Sequence, residues 1–326
     1  NVVVGDEAGT ALTTGDGNVA VGYQALKTED ANGESTALGY RALMTQNAGA
    51  AAYNVAVGYD TGLDLTTGVR NTLLGTFAGS NITSGGSNVA IGYNSLGTED
   101  GHGFNTAVGY QTLKFLNAGA DAYNVAVGYQ AGVAVTTGID NVLIGGLAGD
   151  ALTDADMNVA VGKNALGSDT LGSMSVAIGN GSLTTQNFTT ATNTYNIGIG
   201  QGAGSSITTG VRHTIIGGLA GDAFTDGGNN VALGYRALTT ETGGSASVAI
   251  GSLSLENQNT NNVNYNTAVG YGSGQSVTTG VENTLIGGLA GSSLTDADYN
   301  VTLGYRALED MTLGSRNVAI GSFALT

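Results

Sequence analysis

Proline, cysteine and tryptophan are absent from the 326 residues, and charged residues make up only 10%. Without cysteine there is no disulfide framework and no thiolate metal site. Basic residues are scarce, 9 against 25 acidic ones, for a net charge of −16. A phosphate backbone or an anionic membrane surface needs clustered Lys and Arg, so nucleic acid and membrane are not expected partners. No apolar run is long enough for a membrane span. The opening NVVVGDEAG lacks the basic start and continuous apolar stretch of a signal peptide. It already falls inside the repeat described next, so the chain reads as a piece of a longer protein. What is abundant is glycine, 56 residues, and aliphatic side chains, with 41% of the chain hydrophobic. A disordered polymer shows the opposite balance, so a buried core is expected.

The pattern [N/S]-x-x-x-G-x-x-x-[G/L] recurs nineteen times, with starts from Asn1 to Asn317. The step is 17 residues except at four places, where it is 19, 19, 21 and 19, so a super-repeat of about 70 residues overlies the short one. A helix pair does not fit in so short a step. NVAVG is β-branched, short and bounded by Gly, Asn and Thr-Thr-Gly, which reads as a strand with turns. The expected fold is all-β: a parallel β-solenoid, or β-roll, of nineteen 17-residue coils in one array over residues 1–326. Coils about 4.8 Å apart would give a rod about 90 Å long. The missing proline fits, because each rung of such a ladder needs its N–H.

Position five of the unit is Gly in every copy, from Gly5 to Gly321. That constancy asks for a positive φ or a backbone approached too closely for a Cβ. Position one is Asn in fifteen copies, Ser in three (Ser35, Ser175, Ser247) and His in one (His213), which suggests a ladder of stacked amides. Volume is exchanged within the unit. Where position nine is Gly (Gly62, Gly79, Gly132, Gly149), position twelve is Leu65, Ile82, Val135 or Leu152. Where it is Leu and the step is regular, as at Leu26, Leu96, Leu166 and Leu238, position twelve is Glu29, Glu99, Asp169 or Glu241. One large aliphatic per coil would satisfy close packing from either side.

The flanking valines of NVAVG are read as facing inward and the middle residue outward. That middle residue is Ala in twelve copies, among them Ala56 and Ala126, and becomes Val3, Leu73, Leu143, Ile215 or Leu285 once per super-repeat. An outward apolar strip needs cover. The expectation is therefore a homotrimer packed through Val3, Leu73, Leu143, Ile215, Leu285, Ala56 and Ala126.

NVAVGYQAL, SVAIGNGSL and NVAIGYNSL resemble the head repeats of trimeric autotransporter adhesins. TTGVRNTLLGTFAG, in its long regular array, is similar to repeats of bacteriophage tail fibres and related surface fibres. The resemblance covers the whole chain and implies a left-handed roll, three packed chains and an extracellular place on a virion or cell surface. The adhesin repeats are shorter than the step found here, a departure from that family.

Little in the sequence reads as catalytic, and an enzyme is not expected. His102 lies in the loop GTEDGHG and is read as solvated; His213 is read as a ladder substitution. Gly198, Gly200 and Ala203 fit a loose dinucleotide pattern but are simply the repeat. Asp154, Asp156, Asp296 and Asp298, in TDADMN and TDADYN, are candidate Ca²⁺ ligands; no other cofactor is expected. A Thr column at position thirteen (Thr66, Thr83, Thr136, Thr153 and onward) suits ladder hydrogen bonding, with ice binding as the sharper alternative.

The longer loops, one per super-repeat, each end in Tyr before Asn. Their Asn47, Tyr53, Phe115, Asn117, Tyr123, Asn187, Phe188, Tyr195, Asn257 and Tyr265 are candidate ligand contacts, since loops on one solenoid face carry binding. The leading function is the structural shaft of an extracellular fibre. The alternatives are a module that binds cell-surface glycan through these loops, and a filament subunit joining end to end.

Overall fold

A computed structural model describes residues 1–31 and 33–326. It is an all-β parallel solenoid of about nineteen coils, one to each repeat of the sequence, with no helix among the described residues. Two compact units, residues 1–158 and 159–326, each hold a run of these coils.

Among the described residues of the first unit, nine three-residue strands, from Val2–Val4 to Val142–Ile144, pair in parallel and in register, so that Ala56 faces Leu73 and Leu73 faces Ala90. The second unit holds ten such strands, from Val159–Val161 to Val318–Ile320, and a short parallel pair, Gly172–Ser173 with Thr192–Asn193. The ladder uses the N–H groups on both edges of each strand. Val55 donates to Asn71 O at 2.9 Å and Gly75 to Val57 O at 2.9 Å, and the corners continue it, as where Phe77 donates to Tyr59 O at 3.0 Å.

The strand faces are the reverse of those expected. Leu73, Leu143, Ile215, Leu285, Ala56 and Ala126 are fully buried within their own chain, while their flanking residues are half-buried or exposed. Side chains alternate along a strand, and the amide of position one is itself buried. Position three must share its face, which puts positions two and four outside. These six residues therefore cannot form a subunit interface. Val3, the other candidate of this kind, is 43% exposed.

At position five both reasons for glycine hold together. Gly128 has φ +138°, and a Cβ on it would lie 2.5 Å from the carbonyl oxygen of Gly145 in the next coil. The volume exchange also has a geometry. A Cβ on Gly62 would lie 2.8 Å from Leu73 Cδ1, and one on Gly79 2.8 Å from Leu73 Cδ2. The large residue at position three fills the space of two missing leucines at position nine, one from its own coil and one from the coil before. Leu143 does the same over Gly132 and Gly149, and Leu285 over Gly274 and Gly291. A close-packed interior one aliphatic wide leaves no room for both. The super-repeat is thus a packing period.

Candidate functional site

A polar spine runs beside this core. Asn54 Nδ2 donates to Gly68 O at 2.8 Å, and its Oδ1 accepts from the N–H of Asn71 at 2.8 Å; Asn71 repeats the arrangement towards Gly85 O and Asn88. Each amide satisfies one backbone carbonyl and one backbone N–H that would otherwise be buried alone. His213 is a ladder member, as expected. Its Nε2 lies 2.8 Å from Gly227 O, so this nitrogen carries the hydrogen, and its backbone N–H donates to Asn196 Oδ1 at 3.0 Å. Burial pushes its pKa down to about 4, against a smaller opposing effect of the Gly227 bond.

Serine is too short for the amide's role, and a glutamine from position twelve of the same coil supplies what is missing. Gln46 Nε2 donates to Ser35 Oγ at 3.0 Å and to Glu29 Oε2 at 2.8 Å, while its Oε1 accepts from Asn54 Nδ2 at 2.9 Å. Gln186 makes the same set with Ser175, Asp169 and Asn196, and Gln258 with Ser247, Glu241 and Asn266. The acids Glu29, Asp169 and Glu241 are fully buried, which a hydrogen-bonded carboxylate tolerates.

The second super-repeat departs from this. Asn105 stands where the others have Ser, and Leu116 where they have Gln. Glu99 is still fully buried, but its Oε2 faces no hydrogen-bond donor. Its Oε1 accepts from the N–H of His102 at 3.1 Å, the bond that Gly172 gives Asp169 and Gly244 gives Glu241. His102 Nδ1 lies 3.4 Å from the same Oε1 and is buried without a hydrogen bond. Burial raises the Glu99 pKa, with the backbone N–H and ring of His102 working against it. The His102 loop is thus half-buried and structured, where a solvated loop was expected. Glu29 Oε1 also lacks a partner among the described residues, but the Oε2 facing its neighbouring coil is taken by Gln46.

The other candidates take structural places. Asp156 Oδ1 accepts from the N–H of Ile139 at 2.8 Å and Asp298 Oδ1 from that of Val281 at 2.9 Å, while Asp154 and Asp296 accept from Thr137 and Thr279. Each acid ties its turn to the coil before. The Thr column bonds along the axis, Thr66 Oγ1 to Thr83 O at 3.0 Å and Thr136 Oγ1 to Thr153 O at 3.2 Å. Gly198 sits in an in-register parallel strand. Among the loop candidates, Tyr53, Tyr123, Tyr195, Tyr265 and Phe115 are exposed, as are Asn47, Asn117, Asn187 and Asn257, whereas Phe188 is buried.

Two surface features were not anticipated. The outer columns at positions two and four carry Val55, Leu74, Ile144, Leu233, Ile286 and Leu303, all exposed. Beside them in the first unit, Tyr23, Tyr40, Tyr59, Phe77, Tyr93, Tyr110 and Tyr129 form a row with ring centroids 4.9–6.0 Å apart. Tyr at position six of the repeat was the available signal. The second unit keeps Tyr235, Tyr271 and Tyr305 there, with Gly218, Ser252 and Gly288 in coils between and around them.

No pocket opens among the described residues, and no helix is long and apolar enough to cross a membrane. No protein-family model, curated protein or solved structure matches the chain.

Proposed function

We propose that the chain is a shaft segment of an extracellular fibre, of the tail-fibre or surface-adhesin kind, whose outer sheet face packs against further copies in a lateral trimer. The outer columns carry this reading. The interior is already filled, yet Val55, Leu74 and Ile144 in one unit and Leu233, Ile286 and Leu303 in the other remain 37–49% exposed. Strands apolar on both faces are normally covered on both, and a strip repeated coil after coil exceeds the patches tolerated on monomers. The partner surface passes from the middle residue of each strand to its two neighbours. Repetition supports a scaffold over catalysis, since nearly every coil presents the same kinds of group to its neighbours. Sedimentation of the full chain at micromolar concentration is expected to give three times the 32.3 kDa of one copy. A stable single chain would remove the lateral packing.

A second reading is favoured by one observation. Tyr53, Tyr123, Tyr195 and Tyr265 close the four long loops with rings 52–63% exposed. Amphipathic rings held so suit glycan stacking. A glycan array comparing the chain with its fourfold Tyr→Ala variant tests it; binding that is absent, or unchanged by the substitutions, rejects it.

A further inference from the structure

The Asp169, Glu241 and Glu99 corners each bond the acid to the backbone N–H three residues on, but Glu99 differs from its sisters in what else faces the carboxylate. In the sisters a Gln amide hydrogen occupies the second carboxylate oxygen. At Glu99 that donor is replaced by Leu116, and a histidine, one of two in the chain, enters three residues after the acid. The result is a fully buried carboxylate whose Oε2 is bare and whose Oε1, already accepting from the His102 N–H, stands 3.4 Å from an imidazole Nδ1 that makes no hydrogen bond. Two ligands of an ion held by bonds of about 2.0–2.1 Å in tetrahedral geometry stand about 3.4 Å apart. Asp100, exposed on the solvent side, brings a third ligating atom, and all three lie within 4.8 Å of one another, the one such group among the described residues.

The loop is held in place independently of any ion. Asn88 Nδ2 donates to His102 O at 3.1 Å, Gly103 N–H to Asp121 Oδ1 at 3.0 Å, and Thr83 Oγ1 to Asp100 O at 2.7 Å. A Cβ on Gly103 would lie 2.2 Å from Gly86 O, so the turn lies tight against the preceding coil.

We propose that Glu99, Asp100 and His102 bind one divalent transition-metal ion of the zinc type. One imidazole and two carboxylates make a borderline donor set that suits Zn²⁺, whereas Ca²⁺ takes six to eight oxygens. Two carboxylates neutralise the ion, and its charge compensates the burial that disfavours ionised Glu99. Water completes the coordination on the side of Asp100.

Calorimetric titration of the metal-free full chain with Zn²⁺ is expected to show one saturable site, and Co²⁺ the visible absorption of a tetrahedral N/O complex. His102→Asn should weaken Zn²⁺ binding by more than about tenfold. The stricter test is the double variant Leu116→Gln with Asn105→Ser, which rebuilds the sister network and keeps all three ligands. With the amide capping Glu99 it too should bind more than about tenfold more weakly. Far-ultraviolet circular dichroism identifies any variant that has lost the β-solenoid, and Asp100→Asn, at an exposed position, then supplies the readout. Absence of a one-to-one site in the wild type overturns the proposal. So does equal affinity in the wild type and a folded His102→Asn, which would mark diffuse binding by the acidic surface.

Discussion

Leu143 and Ile144 are neighbours on one three-residue strand and live in different surroundings. Leu143 is fully buried over two glycines of the coils it spans, and Ile144 is 38% exposed on the outer column. The inner column is strict because it has one aliphatic's width to fill, and each residue there is matched to a glycine or leucine elsewhere. The outer column repeats Val, Ile, Leu and Thr with no such matching. Inner positions specify the coil, and outer positions specify what the coil meets.

The comparison breaks most readily at its inner member. Leu143→Ala should cost about 2–5 kcal/mol, since Gly132 and Gly149 have no side chains with which to collapse into the space. Hydrogen exchange should show the loss concentrated in the coils on either side, because stability in a solenoid is a sum of neighbouring terms. A uniform loss across both units would contradict this.

Asn141→Ala tests the polar half of the same inner face. It strands Ala155 O, which Asn141 Nδ2 meets at 2.8 Å, and the N–H of Asn158, which Asn141 Oδ1 meets at 3.0 Å. Each orphaned group costs about 1–3 kcal/mol. Thermal melting of Asn141→Ala and Asn141→Ser should show both destabilised, because apolar Leu152 stands at position twelve of this coil in place of the Gln that accompanies native serines.

His213 adds a pH dependence to that spine. Its folded-state pKa, about 4, lies below that of an unfolded histidine, so the unfolded chain takes the proton first. Stability is complete above about pH 6.5 and declines as pH falls towards 4, by up to about 3 kcal/mol. Thermal melting across this range should show a decline that is smaller in His213→Asn, which restores the amide. Equal pH dependence in both proteins would mean that the imidazole is not held neutral.

Much of this was legible beforehand. The constant glycine, the recurring step and the missing proline lead directly to stacked coils. The sidedness of the strand was also available and was missed. A buried amide at position one and alternation along the strand are incompatible with an outward position three, and the parity of Asn124 and Ala126 decides it. The pairing of Ser35, Ser175 and Ser247 with Gln46, Gln186 and Gln258, each eleven residues on, was equally visible, and with it the exception at Asn105 and Leu116. What the linear chain does not display is depth. Glu99 in a turn beside Asp100 reads as solvated, and only the folded coil shows that one of the two points inward.

The smallest effect sharpens the comparison most. In a lone chain Ile144→Ala should cost less than about 1 kcal/mol, the usual scale for a partly exposed side chain away from special backbone geometry. If the outer columns pack against further copies, Ile144 is buried in the assembly and its truncation approaches a core deletion, about 2–5 kcal/mol. The cost then depends on protein concentration, because association and folding share one equilibrium. Melting temperatures of the wild type and Ile144→Ala over a hundredfold range of concentration separate the cases. A difference that widens under conditions where the wild type is assembled and the variant is not places Ile144 at a lateral contact. A small, constant difference leaves the outer face to solvent, and with it falls the argument for a trimeric shaft.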